Sequence, residues 1–169
     1  MKRVIFAIYA LLLVVASGCT VKYTLSGASI PPEAKTFSVA YFPNNAPMVA
    51  PILSATITDE LTQRFATRTR LVQVPDGGDF AFEGEVVGYT STTSSVSSSD
   101  YALQNRLTIT LKVNFTNVLD DKASFKARTF SAYADYDSTK LLTEVEGTLI
   151  PEIVDQLVTD IFMAAASNW

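Results

Sequence analysis

Histidine is absent from the 169 residues, and cysteine occurs once, at Cys19. Without histidine there is no Ser–His or Cys–His nucleophile pair and no His-containing metal site. A single cysteine excludes an intrachain disulfide and a Cys-rich metal centre. Basic residues are scarce, 13 against 17 acidic, for a net charge of −4. Lys2 and Arg3 lie in the first eighteen residues, which hold no acid, so the remainder carries 11 basic against 17 acidic residues, or −6. A chain of that sign lacks the basic footprint of a nucleic-acid binder. Long apolar runs are confined to Val4–Val15, too short for an ordinary membrane-spanning helix. The length suits one domain with a real core.

The strongest pattern that is present runs from Asn105 to Val118. Leu107, Ile109, Leu111, Val113 and Phe115 alternate with Arg106, Thr108, Thr110, Lys112, Asn114 and Thr116. Successive strand side chains face opposite ways, so this is one strand with an apolar face and a polar face. A one-residue slip would turn the whole apolar set to water, which specifies the register.

Other elements arrange themselves around that strand. Thr36–Phe42 alternates Phe37, Val39 and Tyr41 as a first strand, ended by the loop Pro43–Pro47. Helical spacing of Val49, Leu53, Ile57, Leu61 and Phe65 predicts an amphipathic helix over about Pro47–Thr67. Arg70–Val74 reads as a short strand, and Pro75–Asp79 as turn chemistry. Phe80–Tyr89 is a long strand expected to present Phe80, Phe82, Gly84, Val86 and Gly88 on one face. Its glycines point to a bulge or a close approach. Thr90–Asp100 is nearly all Ser and Thr and reads as a mobile loop. After the central strand, Ala123–Ala134 forms another, with a bulge expected between Phe125 and Phe130. Thr143–Ala166 reads as a second helix, with Thr143 and Glu146 at capping-box spacing and Pro151 as a kink or true start. The sum is an α+β two-layer sandwich, a mostly antiparallel sheet of about four strands with two helices on one face.

No constellation carries catalysis, a cofactor or a metal. Glu83 and Glu85 share a strand face but read as a solvated surface rather than an acid pair. Gly77-Gly78 is a turn, unlike a phosphate loop. Arg64, Arg68 and Arg70 read as solvating a helix end. Asp137-Ser138-Thr139 resembles a short acceptor pattern for bacterial O-glycosylation, a signal of only three residues.

The N-terminus divides into a signal at 1–18, a tether at 19–35 and a single domain at 36–169. Met1-Lys2-Arg3, the apolar run and Ala16-Ser17-Gly18 make a secretory signal. With Cys19 they resemble a bacterial lipobox, although Ala16 stands where Leu is usual. The bland alternative is a free thiol beside an ordinary cleavage site. The lipobox implies acylation of Cys19 and cleavage before it, anchoring the chain at about 0.8 kcal/mol per buried CH₂. Thr20 follows rather than Asp, so the usual inner-membrane retention signal is missing. That resemblance implies the outer membrane.

The ordered stretches SGASIPPEAKTFSVAYFPNNAP, TDELTQRF, TRL, FEGEVVGY, NRLTITLKVNFTN, FSAYADYD and IFMAAASNW resemble the LPS-assembly lipoprotein LptE family from Cys19 to Trp169. The resemblance implies a two-helix, four-stranded sandwich that plugs the LptD-type outer-membrane barrel and serves lipopolysaccharide insertion into the outer leaflet. Arg106 and Lys112, on the polar strand face, are the candidates for lipopolysaccharide contact. Asn45 and Ser95, on loops expected at an end of the sandwich, are the candidates for barrel contact. Two other readings stay open: a lipoprotein subunit of another envelope lipid-transport system, and a surface glycan- or protein-binding lipoprotein. Replacing Cys19 by Ala is expected to abolish acylation and lipoprotein-type cleavage. Mass spectrometry of the mature N-terminus checks this, and an unmodified Cys19 in the parent chain contradicts it.

Overall fold

A computed structural model of the chain describes residues 30–48, 50–94 and 104–166. The signal, Cys19, most of the proposed tether, Val49 and Ser95 lie outside the described residues. In chain order the elements are β1 (Thr36–Val39), α1 (Leu53–Arg68), β2 (Val72–Gln73), β3 (Phe80–Ser94), β4 (Gln104–Asn117), β5 (Phe125–Asp137) and α2 (Leu142–Ala166), with a 3₁₀ turn at Asp121–Ala123. Among the described residues the strands form one five-stranded sheet in the order β2-β1-β3-β4-β5. The class is α+β, two helices on one face of a sheet. The sheet is mixed rather than nearly all antiparallel. β1 pairs parallel to β2 and to β3, while β3–β4 and β4–β5 are antiparallel. The physical reason is α1: a helix between β1 and the next strands returns the chain to the same end, which makes the pairing parallel. The short strand predicted near residues 70–74 supplies the fifth strand.

β4 sits second from one edge, and its apolar set is sealed. Leu107, Ile109, Leu111 and Val113 are fully buried and Phe115 is 1% exposed. Phe65 ties the layers together, its ring centroid 5.8 Å from Phe37, 4.6 Å from Phe82 and 5.0 Å from Phe162. Phe82 in turn stacks on Phe115 at 4.8 Å. Strands from three places and both helices therefore meet on one aromatic cluster.

Several boundaries depart from the sequence reading. α1 begins at Leu53, after Pro51, rather than near Pro47. Proline disfavours helical geometry in the residue before it, so Ala50 cannot join the helix easily. In β3 the register shifts between Val86 and Gly88. The extra residue reverses the phase, so Tyr89 points inward and Gly88 lies on the outer face, opposite Thr110. Gly84 keeps its inward place because a Cβ there would stand 2.4 Å from the Phe42 ring. β3 also continues to Ser94, because its Thr/Ser stretch finds partners on β4 out to Gln104. In β5 the expected bulge falls at Lys126–Ala127, between the pairs Val113↔Arg128 and Phe115↔Phe125. Ala127 has φ +52, and its N–H donates to Asn114 Oδ1 at 2.7 Å.

α2 runs unbroken through Pro151. Its start is capped two residues earlier than Thr143–Glu146 spacing implied: Glu144 Oε2 accepts from the Leu141 N–H at 3.1 Å. Glu146 is used elsewhere, accepting from the Tyr89 hydroxyl at 2.7 Å. Burial first, and then that bond to a carboxylate, push the Tyr89 phenol well above its ordinary value.

The end of the sandwich where β1 starts is closed by Asp79. Its Oδ2 accepts from the N–H groups of Lys35 (2.8 Å) and Thr36 (3.0 Å) and from Thr36 Oγ1. The Lys35 and Thr36 amides hold this carboxyl below its ordinary value. Gly78 packs so closely that a Cβ would lie 2.6 Å from the Phe37 backbone. Arg70 donates to the carbonyls of Ile30 and Pro31, and Ala34 is fully buried.

The face assignment is testable in stability. Leu111→Ala should cost about 2–5 kcal/mol by deleting buried atoms and leaving a cavity. Thr110→Ala, on the opposite face, should cost well under that. Denaturation midpoints of the two variants check it, and equal losses contradict it.

Candidate interaction face

The helices cover one side of the sheet, and the even-numbered side chains of β4 make the other. Lys112, Asn114 and Thr116 are exposed, and Arg106, Thr108 and Thr110 are half-buried among neighbours on the same face. Register places Glu85 opposite Lys112, Thr90 opposite Thr108, and Ser131, Tyr133 and Asp135 opposite Thr110, Thr108 and Arg106. The middle of this face is a field of short hydroxyls, with Thr110 Oγ1 3.1 Å from Ser131 Oγ. Such a surface is polar, and among its described residues it carries an open groove.

Its two cations differ in availability. Arg106 Nε and Nη2 donate to the two carboxylate oxygens of Asp135 at 2.7 and 2.9 Å. The guanidinium also lies 3.7 Å over the Tyr133 ring centroid. The bond from Arg106 holds the Asp135 carboxyl below its ordinary range. This charge is therefore already matched, in a bidentate and stacked geometry that favours Arg over Lys. Lys112 is joined to no described residue by an ion pair and stands opposite Glu85. Arg106 and Lys112 are six positions apart on one extended strand, about 20 Å. The fold places the two sequence candidates on one face without bringing them together.

Asn45 lies beside Glu85, along the β1 side of β3, rather than at an end of the sandwich. Its N–H donates to the Val86 carbonyl at 2.9 Å, and the Val86 N–H donates to Pro43. Asn45 Nδ2 donates to Glu85 Oε2 at 2.7 Å. The 43–45 segment thus continues the line of β1 along β3. An open groove of about 380 Å³ results, bounded by Pro43, Glu83, Glu85, Lys112, Asn114 and Ala127. Sequence reasoning paired Glu83 with Glu85 but had no signal linking either to Asn45, because that contact depends on chain folding 40 residues apart. Tyr133 and Asp135 were likewise missed as partners of Arg106, since only the β4–β5 register discloses them. Ser95 and Cys19 lie outside the described residues.

Among the described residues no group of His, Cys, Asp and Glu is placed to hold a metal ion, and no helix is long and apolar enough to cross a membrane. The chain is a two-layer α+β module with an uncovered polar sheet face. The family model described as LptE, lipopolysaccharide-assembly, matches residues 34–165. The chain belongs to the LptE family. A search of curated proteins returns no match. Among solved structures, the fold is similar to protein CT253 from Chlamydia trachomatis, with TM-score 0.52 and 10% identity over 80% of this chain and 99% of that one. It is also similar to protein XCC0632 from Xanthomonas campestris, with TM-score 0.50 and 11% identity over 82% and 88% of the two chains. At TM-score 0.49 and 12% identity, uncharacterized lipoprotein B from Nitrosomonas europaea covers 89% of this chain and 94% of its own.

The Arg106–Asp135 pair lends itself to a titration. The folded pKa of Asp135 is depressed, so its contribution is present above the unfolded carboxylate value, about 3.9, and is lost as pH falls through the folded value. Asp135→Asn should remove that part of the acid loss and, as a surface pair, change stability at neutral pH by at most about 1 kcal/mol. Denaturant midpoints of parent and variant across pH 3–7 check both parts.

Proposed function

We propose that this chain is an outer-membrane lipoprotein, acylated at Cys19, that assembles with an LptD-type β-barrel and plugs it for lipopolysaccharide transport into the outer leaflet. The observation that carries the reading is the one-sided sheet in a chain of the lipopolysaccharide-assembly family. A polar face with hydroxyls at its centre suits a hydrated barrel lumen, where a hydrophobic face would expose apolar surface to water. In this reading Asn45 and the loop containing Ser95 meet the barrel wall. Lys112 is the better lipopolysaccharide contact, because the Arg106 charge is already held by Asp135. Net charge opposes a general attraction to an anionic glycolipid, so contact is local to such exposed cations.

A photo-crosslinker placed at Asn45 in cells is expected to capture a large outer-membrane barrel protein. Depleting the lipoprotein should leave that barrel misassembled and lipopolysaccharide missing from the surface. Crosslinks only to small soluble proteins, with barrel and surface lipopolysaccharide unchanged on depletion, contradict the proposal and favour another lipid-transport role.

A further inference from the structure

The chain enters the domain at one end of the sandwich, and its path there is fixed. Arg70 donates to the carbonyls of Ile30 and Pro31. Asp79 Oδ2 then accepts from the N–H groups of Lys35 and Thr36. The Val72 N–H donates to the Lys35 carbonyl at 2.8 Å, and the Val118 N–H donates to the Asp79 carbonyl at 3.0 Å. The entry point, the start of β2 and the turn after β4 are therefore neighbours at one end. Cys19 stands eleven positions before Ile30, so a fully extended chain between them spans about 40 Å at most.

Three aliphatic side chains stand in water at this end. Val72 is 65% exposed, Val118 68% and Leu119 46%. Val118 and Leu119 are held out by a turn that is hydrogen-bonded within itself. The Asn117 N–H donates to Ser124 Oγ, and Asn117 Oδ1 accepts from the N–H groups of Leu119 and Asp120. Asp120 Oδ1 accepts from the Lys122 N–H, and the Asp120 carbonyl accepts from the Ala123 N–H. With these donors already partnered, the turn can enter a medium poor in water without leaving them unmet. Exposed charges beside it are mixed, Lys35 and Lys122 with Glu33 and Asp121, so a contact made by its aliphatic groups does not depend on anionic lipid.

We propose that this end is a membrane-resting surface. Before the lipoprotein joins a barrel, Val118 and Leu119, with Val72 beside them, enter the headgroup region of the leaflet that holds the acyl chains. The inference rests on acylation of Cys19, as proposed above. A tether of that reach makes the contact intramolecular, so a small apolar surface suffices where an untethered domain would stay in solution.

Acylation blocks the Cys19 thiol, so a cysteine introduced by Leu119→Cys is the one free thiol of the mature protein. An environment-sensitive fluorophore on it, in the acylated protein reconstituted into phosphatidylcholine vesicles, tests the proposal. Its emission should shift to the blue and be quenched by lipids brominated on their acyl chains. The same label introduced by Leu141→Cys should show neither effect, although Leu141, past the far end of β5, is 67% exposed. Val118→Asp should remove most of the quenching at position 119, with flotation on vesicles and the circular dichroism spectrum unchanged. Equal quenching at the two positions, or none at 119, overturns the proposal. Quenching at 119 that survives Val118→Asp also overturns it, because it then reports nearness through the tether alone. A chain whose mass shows no acyl group at Cys19 overturns the anchoring reading as well, whereas an acylated, floating protein with an unquenched label overturns this inference alone.

Discussion

One-sided burial of β4 is the constraint on which the other features depend. Alternate residues from Leu107 to Phe115 are removed from water by the helical layer, at 1% exposure or less. At about 25 cal/mol per Å² of apolar surface, that face is a major contribution to stability, and it fixes the pairing of β3 and β5 on either side. Because the helices lie on one side only, the residues between must be polar, and the uncovered face follows as a consequence. The aromatic cluster around Phe65 couples this sheet to α1 and α2, so loss of packing in one layer is felt in the other.

What was readable in the sequence was whatever a local period encodes. The β4 alternation, the apolar stripes of both helices, the turn at Asp76–Gly78 and the β5 bulge need no knowledge of distant residues. The failures are of another kind. The parallel pairing of β1 depends on where α1 delivers the chain, and although Gly84 and Gly88 pointed to a bulge or a close approach in β3, they did not place it at Val87, on which the inward turn of Tyr89 depends. Glu146 has capping-box spacing from Thr143, yet its carboxylate is taken by Tyr89 from 57 residues away. In the actual cap the Glu144 carboxylate accepts from the Leu141 N–H, a side-chain bond that requires no Ser or Thr.

The candidate face was legible in outline and not in detail. Strand alternation placed Arg106 and Lys112 on it without saying which charge is matched. Cross-strand register decides that, since Asp135 and Tyr133 meet Arg106 while Lys112 stands opposite Glu85. Asn45 reads as a loop tip from its Pro/Asn neighbours. Its backbone bond to Val86 carries it along the sheet instead, where its side chain bonds to Glu85. An uncovered polar face of this kind is in keeping with an assembly role for a member of the LptE family.

That role is tested most directly by isolating the tagged full-length protein in mild detergent and identifying what accompanies it by mass spectrometry. The account predicts a large outer-membrane β-barrel protein in stoichiometric amount. Recovery of an inner-membrane transporter subunit, or of the lipoprotein with no barrel, would contradict it.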